Sequence, residues 1–478
     1  MKIPYKKTKI LATIGPASIS PRVIESLLLK GANSFRLNFS HGVHEEHRAV
    51  IKYIRVLDRK LGIHTAIIAD LQGPKIRTGS TADNLPVQLK KGTVVHLTTR
   101  KIICTHREIH IDYPALTKDI RPRQNVLIND GAVRLRVLSV HENNSTLTCK
   151  VMNTGTYSSH KGVNFPDAQL RVPSLTKKDR KDLQFILGQD INFIALSFVR
   201  RPEDIASLSR IVKRKRKDVK LIAKIEKPEA LEHISDIIDA SDGIMIARGD
   251  LGVETSPFTV PILQKKFIAE ANIRGKIVIV ATQMLESMVE HPLPTRAEST
   301  DVANAILDGT DTVMLSGETA AGKYPVDSVW TMTKIAQVTE ESSFYSRQFY
   351  ELSIKPAYPP HAICEADEWA SRDLGNVPVL VFTASGDTAL YLSKTRNQSR
   401  IFAFSPYDHV ACMLSLAWNV TSFVLPFKKD IIDLQREAEK ILIRARLVKR
   451  GDIVLIVSGT TSARGATNFL RVKNVGDD

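Results

Sequence analysis

Short apolar runs alternate with longer amphipathic stretches over the first part of the chain, up to Gly73. Near-continuous apolar runs are typical of strands that are covered on both faces of a parallel sheet. The longer stretches have apolar residues at helical spacing, and Pro21 and Gly31 mark the start and the end of the first helix. The pattern predicts strands over residues 8–15, 34–40 and 65–71, and helices over residues 21–30 and 45–61.

The same alternation resumes at about Pro173. It predicts five further strands, over residues 193–198, 220–226, 243–248, 276–282 and 312–316, and helices over residues 202–215, 260–274, 296–307 and 326–340. Three strands and five strands make eight, and eight parallel β/α units close into a TIM barrel. We therefore expect an α/β protein built on a (β/α)8 TIM barrel, with functional groups at the carboxyl ends of the strands.

Two other segments depart from the barrel rhythm. Between Gly73 and Phe165 short β-branched segments without a convincing helix predict an inserted all-β domain, with strands over residues 93–98, 125–128, 133–140 and 145–152. Beyond the linker prolines Pro356, Pro359 and Pro360, alternating helices and strands predict a smaller C-terminal α/β domain that ends with a strand over residues 453–457. We expect the barrel at residues 1–73 and 166–346, the insert at 74–165 and the C-terminal domain at 347–478.

Composition narrows the class of protein. A chain of 478 residues, 43% of them hydrophobic, is long enough for two or three domains. The four cysteines form no Cys-x-x-Cys pair, which argues against a disulfide framework or a zinc site and fits a reducing compartment. The N-terminus has no signal-peptide core, and no apolar run approaches the ~20 residues of a membrane span. We expect a cytoplasmic protein without a membrane partner.

The net charge of +16 arises from 67 basic and 51 acidic residues. Such a charge is compatible with nucleic acid, with anionic substrates, or with solubility alone. The densest basic run, KRKRK at residues 213–217, has no interleaved aromatic residues of the kind that a single-strand platform requires. We therefore expect it to be the solvated end of a helix, with no nucleic acid bound.

The strongest candidate chemistry lies in the segment over residues 220–254. Lys224 and Glu226 are two residues apart on a strand and point the same way, and Asp250 is predicted to end the next strand. If the strands are parallel neighbours, two carboxylates and an ammonium meet at one edge, which suits a divalent cation and a phosphate or enolate. The alternative is a surface salt bridge with a helix-capping aspartate.

Other polar residues lie near predicted strand ends. Arg36, Asn38 and Ser40 share one face of a strand, and an arginine fork suits phosphoryl oxygens. After Asp70, a Gly-Pro turn leads to Lys75 and Arg77, which are candidate anion ligands or ordinary surface charges. The remaining candidates at strand ends are Thr282, Ser316 and Glu318.

Two glycine-rich segments resemble phosphate loops. GETAAGK at residues 317–323 is rejected as a nucleotide cradle, because Tyr324 stands where a serine or threonine must reach the metal. TASGDT at residues 383–388 lies between a strand and a helix, so it predicts either an anion site or simple helix capping. Arg464, in a second polar loop near the C-terminus, could close over the same anion.

Many ordered segments of the chain resemble the pyruvate kinase family, among them FRLNFSHG, DLQGPKIRTG, KIEKPEAL, SDGIMIARGDLGVE, ATQMLESM and MLSGETAAGKYP. The resemblance implies transfer of the phosphoryl group of phosphoenolpyruvate to ADP, giving pyruvate and ATP as the last step of glycolysis. It also implies Mg²⁺, with Mn²⁺ as a substitute, a β-domain lid, a C-terminal domain that binds a phosphorylated allosteric effector, and a homotetramer.

The resemblance assigns roles by matching position. Glu226 and Asp250 would hold Mg²⁺, and Lys224 would stabilise the transferring phosphoryl group. Gly249, Asp250 and Thr282 would hold the substrate carboxylate, and Thr282 would help to protonate the enolate with a water network near Ser316 and Glu318. The residues expected to contact substrate phosphate or nucleotide are Arg36, Asn38, His41, Arg77 and Lys161. The effector phosphate would lie against Thr383, Ser385, Gly386, Thr388 and Arg464.

The chain departs from the potassium-dependent members of the family after Asp70. Those members have Thr-Lys-Gly-Pro-Glu, whereas this chain has Leu71-Gln72-Gly73-Pro74-Lys75. Leu71 offers no side-chain oxygen, and Lys75 brings a positive charge that could replace the cation. We expect potassium not to be required, although Asn38, Ser40 and Asp70 could form a vestigial site. In the effector loop Asp387 replaces a common arginine, which weakens anion binding and favours a monophosphate effector.

Two other functions are compatible with parts of the chain. A Mg²⁺-dependent lyase or aldolase acting on pyruvate enolate would use Glu226, Asp250 and Lys224 in the same way. It would not explain the β insert, nor Arg36, Asn38 and His41, which suit a nucleotide. A basic nucleic-acid-binding protein would explain the charge alone.

Overall fold

The computed structural model describes residues 3–215, 218–347, 359–426, 431–459 and 467–477. The first segment forms three strands and two helices that alternate. The strands are β1 (Lys9–Ile14), β2 (Ser34–Asn38) and β3 (Ala66–Asp70), and the helices are α1 (Pro21–Lys30) and α2 (His44–Leu61). Helix α1 begins after Ser20, whose side chain accepts a hydrogen bond from the Val23 amide, and ends at Gly31 in the left-handed conformation.

The inserted domain is built mainly of strands. They are β4 (Val87–Leu89), β5 (Val94–Thr98), β6 (Glu108–His110), β7 (Asn125–Ile128), β8 (Val133–His141), β9 (Thr146–Val151), β10 (Gly155–Tyr157) and β11 (Val163–Asn164). They form a six-stranded sheet in the order β11-β7-β8-β9-β5-β6 and a two-stranded sheet of β10 and β4. The expectation that the insert contains no helix is wrong at one place, where the short helix α3 (Leu116–Asp119) packs Leu116 into the core.

The chain then returns to the barrel, whose five remaining strands are β12 (Phe193–Leu196), β13 (Lys220–Ile225), β14 (Gly243–Ala247), β15 (Ile277–Ala281) and β16 (Thr312–Leu315). The helices of this segment are α4 (Lys177–Ile186), α5 (Pro202–Arg214), α6 (Glu229–Glu232), α7 (Ile234–Ala240), α8 (Arg248–Glu254), α9 (Val260–Ile273), α10 (Arg296–Leu307), α11 (Gly317–Ala320), α12 (Pro325–Glu341) and α13 (Ser343–Arg347). Helices α4, α6, α7, α8, α11 and α13 were not predicted.

Eight parallel strands close the barrel in the order β1-β16-β15-β14-β13-β12-β3-β2. The predicted TIM barrel is therefore confirmed, and so is the parallel pairing of β13 with β14, in which Lys224 is level with Met245. The position predicted for Asp250 is wrong. Strand β14 ends at Ala247, and Asp250 lies in the first turn of helix α8.

The C-terminal domain is a five-stranded sheet with helices. Its helices are α14 (Pro359–Asp373), α15 (Asp387–Lys394), α16 (Asp408–Met413) and α17 (Ile431–Arg444), and its strands are β17 (Val379–Phe382), β18 (Ile401–Ser405), β19 (Val420–Val424), β20 (Ile453–Gly459) and β21 (Thr467–Asn474). The order is β19-β18-β17-β20-β21. Strand β21 is antiparallel to β20 and was not predicted, so the expectation that the domain ends with the strand over residues 453–457 is wrong.

The barrel interior and the C-terminal domain share one hydrophobic core. Leu11, Ile68 and Met314 from the barrel strands belong to the same buried cluster as Val379 and Leu416 of the C-terminal domain. Hydrogen bonds cross the same boundary, from the Ala66 amide to Ser415 Oγ and from Thr312 Oγ1 to the Leu416 carbonyl. The insert instead has a separate core, which includes Ile76, Val126 and Phe165. The C-terminal domain thus closes the amino-terminal end of the barrel.

Candidate active site

The candidate residues of the barrel gather at the carboxyl ends of its strands. Arg36 and Asn38 lie on β2, Asp70 ends β3, and Lys224 lies on β13 with Glu226 directly after that strand. Thr282 follows β15 and Ser316 follows β16. Because all eight strands are parallel, these positions meet at one end of the barrel.

Asp70 lies between two cations. Its Oδ2 is 2.6 Å from Arg36 Nε and 3.3 Å from Lys224 Nζ, and its side chain is 1% exposed. Burial opposes ionisation of Asp70, but the charges of Lys224 and Arg36 outweigh burial and hold its pKa below the ordinary value. The same pairing keeps Lys224 charged, because Asp70 and Glu226 raise its pKa against the effect of burial. The sequence placed Asp70 near a strand end and in a vestigial cation site, but its pairing with Arg36 and Lys224 was missed.

Glu226 and Asp250 are the two carboxylates that the sequence predicts to share a site. Glu226 Oε1 is 3.0 Å from Lys224 Nζ, and its side chain is 1% exposed. Burial raises the pKa of Glu226, Lys224 opposes that rise, and the negative charge of Asp250 adds to it. The two carboxylates therefore lie close enough to act on each other, and Lys75 Nζ is 3.8 Å from Asp250 Oδ1 on the insert side.

The end of β12 supplies two contacts that the sequence did not reveal. Ser197 Oγ accepts a hydrogen bond from Lys224 Nζ at 2.7 Å and lies 3.3 Å from Asp70 Oδ1. The Phe198 amide donates to Glu226 Oε2 at 2.8 Å, and Phe198 has a φ of 55°. This left-handed conformation is uncommon for a bulky residue and aims the amide at the carboxylate. The only signal in the sequence is a serine at a predicted strand end.

The end of β15 has a second strained turn. Thr282 and Gln283 have φ values of 69° and 54°. Thr282 Oγ1 accepts a hydrogen bond from the Gly249 amide at 2.8 Å, which joins the two residues predicted to hold a substrate carboxylate. Arg248, which the sequence analysis did not assign, donates to the carbonyls of Thr282 and Gln283 at 2.9 and 3.0 Å and pairs with Asp301 at 2.7 Å.

Ser316 and Glu318 meet at the end of β16. Glu318 is fully buried, and its two carboxylate oxygens accept hydrogen bonds from the amides of Ser316 at 2.7 Å and Leu285 at 3.0 Å. Burial raises the pKa of Glu318. Ser316 Oγ is a buried polar atom without a hydrogen-bond partner among the described residues, so it is available to a water or a substrate.

The insert brings additional positive charge to this end of the barrel. The Arg77 guanidinium donates to the His160 carbonyl at 3.2 Å, and the Lys161 amide donates to Thr78 Oγ1 at 3.0 Å. Partial burial, followed by the charges of Arg77, Arg36 and Lys75, lowers the pKa of His41. Cations from the barrel and the insert thus surround His41, which favours anionic ligands in the cleft.

The residues of the proposed vestigial potassium site lie on adjoining strands. Asn38 is level with Asp70 in the β2–β3 register, and its Oδ1 accepts a hydrogen bond from the Ser40 amide at 3.1 Å. The Leu71 side chain is buried and is part of the barrel core. Lys75 lies beside Asp250 as described above.

The predicted effector residues lie in the C-terminal domain. Gly386 has a φ of 88° directly before α15, and its amide donates to Thr383 Oγ1 at 2.9 Å. Thr388 is within α15, and its hydroxyl is 2.6 Å from Thr467 Oγ1. Ser385 accepts a hydrogen bond from the Asp387 amide at 3.4 Å. Arg464 lies outside the described residues.

The glycine-rich segment at residues 317–323 and the basic run at residues 213–217 lie in or beside helices. Residues 317–320 of the segment GETAAGK form helix α11 and therefore make no phosphate loop. Lys213 and Arg214 are exposed in the last turn of α5, as expected of a solvated helix end, and residues 216–217 lie outside the described part of the chain. In the described part of the chain, none of the helices has the length and apolar character that crossing a membrane requires.

Carboxylates and cations gathered at the carboxyl ends of the strands of a TIM barrel are typical of an enzyme, because the active sites of this fold lie at that end. The family model of the pyruvate kinase barrel domain matches residues 5–329, and that of the pyruvate kinase alpha/beta domain matches residues 361–473. The chain belongs to the pyruvate kinase family and is a phosphotransferase.

Individual relatives agree with this assignment. A pyruvate kinase of Staphylococcus saprophyticus is 40% identical over 476 residues, which are 99% of this chain and 81% of that protein. Pyruvate kinase 2 of Synechocystis sp. is 42% identical over 472 residues, which are 98% of this chain and 79% of that protein. The crystal structure of a pyruvate kinase from Cryptosporidium parvum superposes with a TM-score of 0.91 at 34% identity, covering 98% of this chain and 96% of the other.

Proposed function

We propose that the chain transfers the phosphoryl group of phosphoenolpyruvate to ADP with Mg²⁺ held by Glu226 and Asp250. Membership of the pyruvate kinase family supports this reaction over the lyase alternative. The observation that carries the proposal is the arrangement around Lys224, whose ammonium lies 3.0 Å from Glu226 and 3.3 Å from Asp70. Family membership also implies a divalent metal cofactor, and two neighbouring carboxylates are the oxygen ligands that fit Mg²⁺ or Mn²⁺.

Each side chain of the site has a task in this reaction. Lys224 presents a charged, fixed ammonium to the phosphoryl group, and Arg36 presents a guanidinium from the neighbouring part of the rim. Gly249, Asp250 and Thr282 orient the substrate carboxylate. The Thr282 hydroxyl, with water beside Ser316 and Glu318, delivers a proton to the enolate carbon. A metal bound at the carboxylates would neutralise charge on the phosphoryl oxygens.

The nucleotide belongs in the cleft between the barrel and the insert. Asn38 and His41 come from the barrel, and Arg77 and Lys161 come from the insert. The combined positive charge that lowers the pKa of His41 supports binding of a second polyanion beside phosphoenolpyruvate. Closure of the insert over the barrel would hold phosphoenolpyruvate and ADP in the geometry for reaction. Holding two reactants together lowers the activation barrier, because their loss of translational and rotational entropy has already occurred on binding.

A coupled assay tests the metal proposal. Pyruvate formation from phosphoenolpyruvate and ADP is measured while Mg²⁺ is titrated, for the parent chain, for Glu226→Gln and for Glu203→Gln, an exposed control on helix α5. We expect Glu226→Gln to require far more Mg²⁺ and to lose most of its turnover, because a neutral amide is a weaker metal ligand. Unchanged Mg²⁺ dependence in Glu226→Gln would contradict the proposal.

We propose further that the enzyme does not require potassium. The support is Lys75, whose ammonium is 3.8 Å from Asp250, together with the buried apolar Leu71. Turnover should be unchanged when tetramethylammonium replaces K⁺. The double variant Leu71→Thr/Lys75→Glu has the residues of potassium-dependent members at both positions, and we expect it to become K⁺-activated. Strong K⁺ activation of the parent chain would refute the proposal.

The C-terminal domain is the proposed site of regulation. A phosphorylated metabolite would bind at the start of α15, beside Thr383, Ser385, Gly386 and Thr388. Arg464, outside the described residues, is the further proposed ligand. Titration of glucose 6-phosphate and AMP against the phosphoenolpyruvate saturation curve tests this, and no response to either probe counts against it.

A homotetramer is also proposed, and exposed Phe258 and Ile262 near the start of α9 are apolar surface that a second copy would cover. Sedimentation equilibrium measures the assembly.

A further inference from the structure

Three potential metal ligands meet where the C-terminal domain contacts the barrel. His64 lies between α2 and β3, Asp408 is the first residue of α16, and Cys412 is one turn further along that helix. One ligand atom from each lies within 4.8 Å of the others. We refer to these three residues as the interdomain cluster. They are far from one another in sequence, except for the i, i+4 pair on α16, so a search for Cys-x-x-Cys spacing does not find them.

The distances within the interdomain cluster resemble the edges of a tetrahedral zinc site. His64 Nδ1 is 3.2 Å from Asp408 Oδ1, and Cys412 Sγ is 3.8 Å from Asp408 Oδ2. Zinc bonds of ordinary length at tetrahedral angles place nitrogen and oxygen ligands about 3.4 Å apart and sulfur and oxygen ligands about 3.6 Å apart. The two distances involve different oxygens of Asp408, and the three ligand atoms lie within 4.8 Å of one another. Rotation of the carboxylate and side-chain movements of about 1 Å would therefore bring His64 Nδ1, one Asp408 oxygen and Cys412 Sγ onto one ion.

The surroundings of the interdomain cluster are negatively charged overall. The positive charge of Arg55 opposes cation binding, because its Nη1 lies 3.7 Å from Cys412 Sγ. That guanidinium is already paired with Asp58 and Asp190, each at 2.9 Å. Together with Asp408, three carboxylates face a single arginine, which leaves a net negative charge before any cation binds. The Asp408 side chain is 64% exposed, so an ion and a water ligand have access from solvent.

We propose that the interdomain cluster is a zinc site, with His64 Nδ1, an Asp408 carboxylate oxygen and Cys412 Sγ as ligands and water in the fourth position. Nitrogen, oxygen and thiolate ligands together suit Zn²⁺ better than Mg²⁺ or Ca²⁺. The Cys412 thiol loses its proton to solvent as the ion binds, and no ligand is oxidised or reduced. Because His64 belongs to the barrel and the other two ligands to the C-terminal domain, the ion would fasten the two units at the base of β3.

Cobalt is the probe, because a thiolate bound to Co²⁺ gives a near-ultraviolet charge-transfer band that oxygen ligands do not give. The full chain is freed of metal with a chelator and titrated with Co²⁺, and then with Zn²⁺ to displace it. We expect a saturable band at one Co²⁺ per chain that Zn²⁺ abolishes. Cys412→Ser should remove the band, and Cys364→Ser, at another buried cysteine of the C-terminal domain, should keep it.

The histidine ligand is tested separately. His64→Asn should weaken Co²⁺ affinity by about tenfold or more, since loss of even an outer-shell partner costs 10- to 100-fold. A missing band in a parent chain that still forms pyruvate, a band that persists in Cys412→Ser, or an unchanged affinity in His64→Asn would each overturn the proposal. None of these results depends on Glu226 and Asp250, so the test is independent of the proposed catalytic metal.

Discussion

Among the single residues of the site, Asp70 supplies the negative charge that balances two buried cations. It is a buried carboxylate between Arg36 and Lys224, and it helps to keep Lys224 protonated. In Asp70→Asn the two cations lose their shared partner. We expect a loss of stability of about 3–5 kcal/mol, because a broken buried pair leaves uncompensated charge.

The same variant should alter the pH dependence of catalysis. Burial lowers the pKa of Lys224, and the carboxylates of Asp70 and Glu226 raise it. Without the Asp70 carboxylate the pKa of Lys224 should fall, so the alkaline limb of the rate profile should move to lower pH. Thermal unfolding and the profile of kcat against pH measure both effects. Asp83→Asn, at an exposed position of the insert, is the control. A profile that does not move would contradict this role.

Ser197 holds the ammonium of Lys224, for which we propose a catalytic role. Its hydroxyl accepts a hydrogen bond from Lys224 Nζ and lies beside Asp70. Ser197→Ala removes a hydrogen bond to a charged group, a loss of about 1.5–3 kcal/mol, and we expect kcat to fall about tenfold or more while the KM for ADP changes little. Steady-state kinetics check this against Ser26→Ala, which removes an exposed hydroxyl on α1. A purely structural role would lower stability and leave kcat unchanged.

Asp367 makes stability depend on pH. It is fully buried on α14, and burial raises its pKa to about 7 from an unfolded value of 3.8. The folded protein therefore binds more protons than the unfolded chain between these values, so stability is lost as pH rises from about 4 to about 7. Asp367→Asn should remove that loss and be more stable than the parent at pH 8, but not at pH 4. Urea denaturation at both values measures the difference.

Asp373→Asn is the matched control for this prediction. It lies at the exposed end of the same helix, and its pH dependence should equal that of the parent. Equal stability of Asp367→Asn and the parent at pH 8 would show that the Asp367 carboxyl is not held neutral by the fold.

Sequence reasoning succeeded for site residues whose neighbours follow from periodicity, and failed where a contact depends on the turn after a strand. Lys224 and Glu226 are two residues apart on one strand, so their shared face follows from alternation. The contacts of Ser197 and Phe198 depend on a φ of 55° at Phe198, which no local pattern requires. Arg248 was missed because its partners are backbone carbonyls of a distant segment. Every residue has a backbone carbonyl, so the residue types in that segment do not reveal the contact.

At the scale of elements, boundaries and weakly patterned strands were hard to predict. Asp250 was placed on a strand because GIMIARGD reads as one extended run, whereas α8 begins at Arg248. Strand β21 has the sequence TNFLRVKN, and among the described residues it joins the sheet through β20. Its mixed polar pattern is typical of an edge strand with one solvated face, which gives a weak hydrophobic signal.

Helix α15 depends on a glycine at its start. Gly386 has a φ of 88°, and an added Cβ would lie 2.5 Å from Met413 Cε. Gly386→Ala should therefore destabilise the protein by about 1–3 kcal/mol through backbone strain and overpacking. Met413 is flexible, so Gly386→Ala/Met413→Ala should separate the two causes. If overpacking dominates, the second change recovers part of the loss relative to Met413→Ala alone. Differential scanning calorimetry of the three variants gives the comparison, and an unchanged Tm in Gly386→Ala would contradict the prediction.

At the scale of the whole molecule, the barrel and the C-terminal domain should unfold together. Apolar side chains of the barrel interior and of part of the C-terminal domain form one cluster, and Trp418 is buried with Tyr345 at the boundary. Trp330 reports on the barrel and Trp369 on the C-terminal domain. We expect Trp330→Phe and Trp369→Phe to give coincident fluorescence transitions in urea, because each retains a reporter of the same cooperative unit. Two separated midpoints would show that the domains unfold independently.

The shared core also limits how the chain can be recombined with its relatives. A chimera that exchanges the C-terminal domain replaces the floor of the barrel, so the donor must supply apolar groups matched to Leu11, Ile68 and Met314. The insert imposes no such requirement, because its hydrophobic groups pack mainly among themselves. The inserted domain should therefore be easier to exchange between relatives than the C-terminal domain.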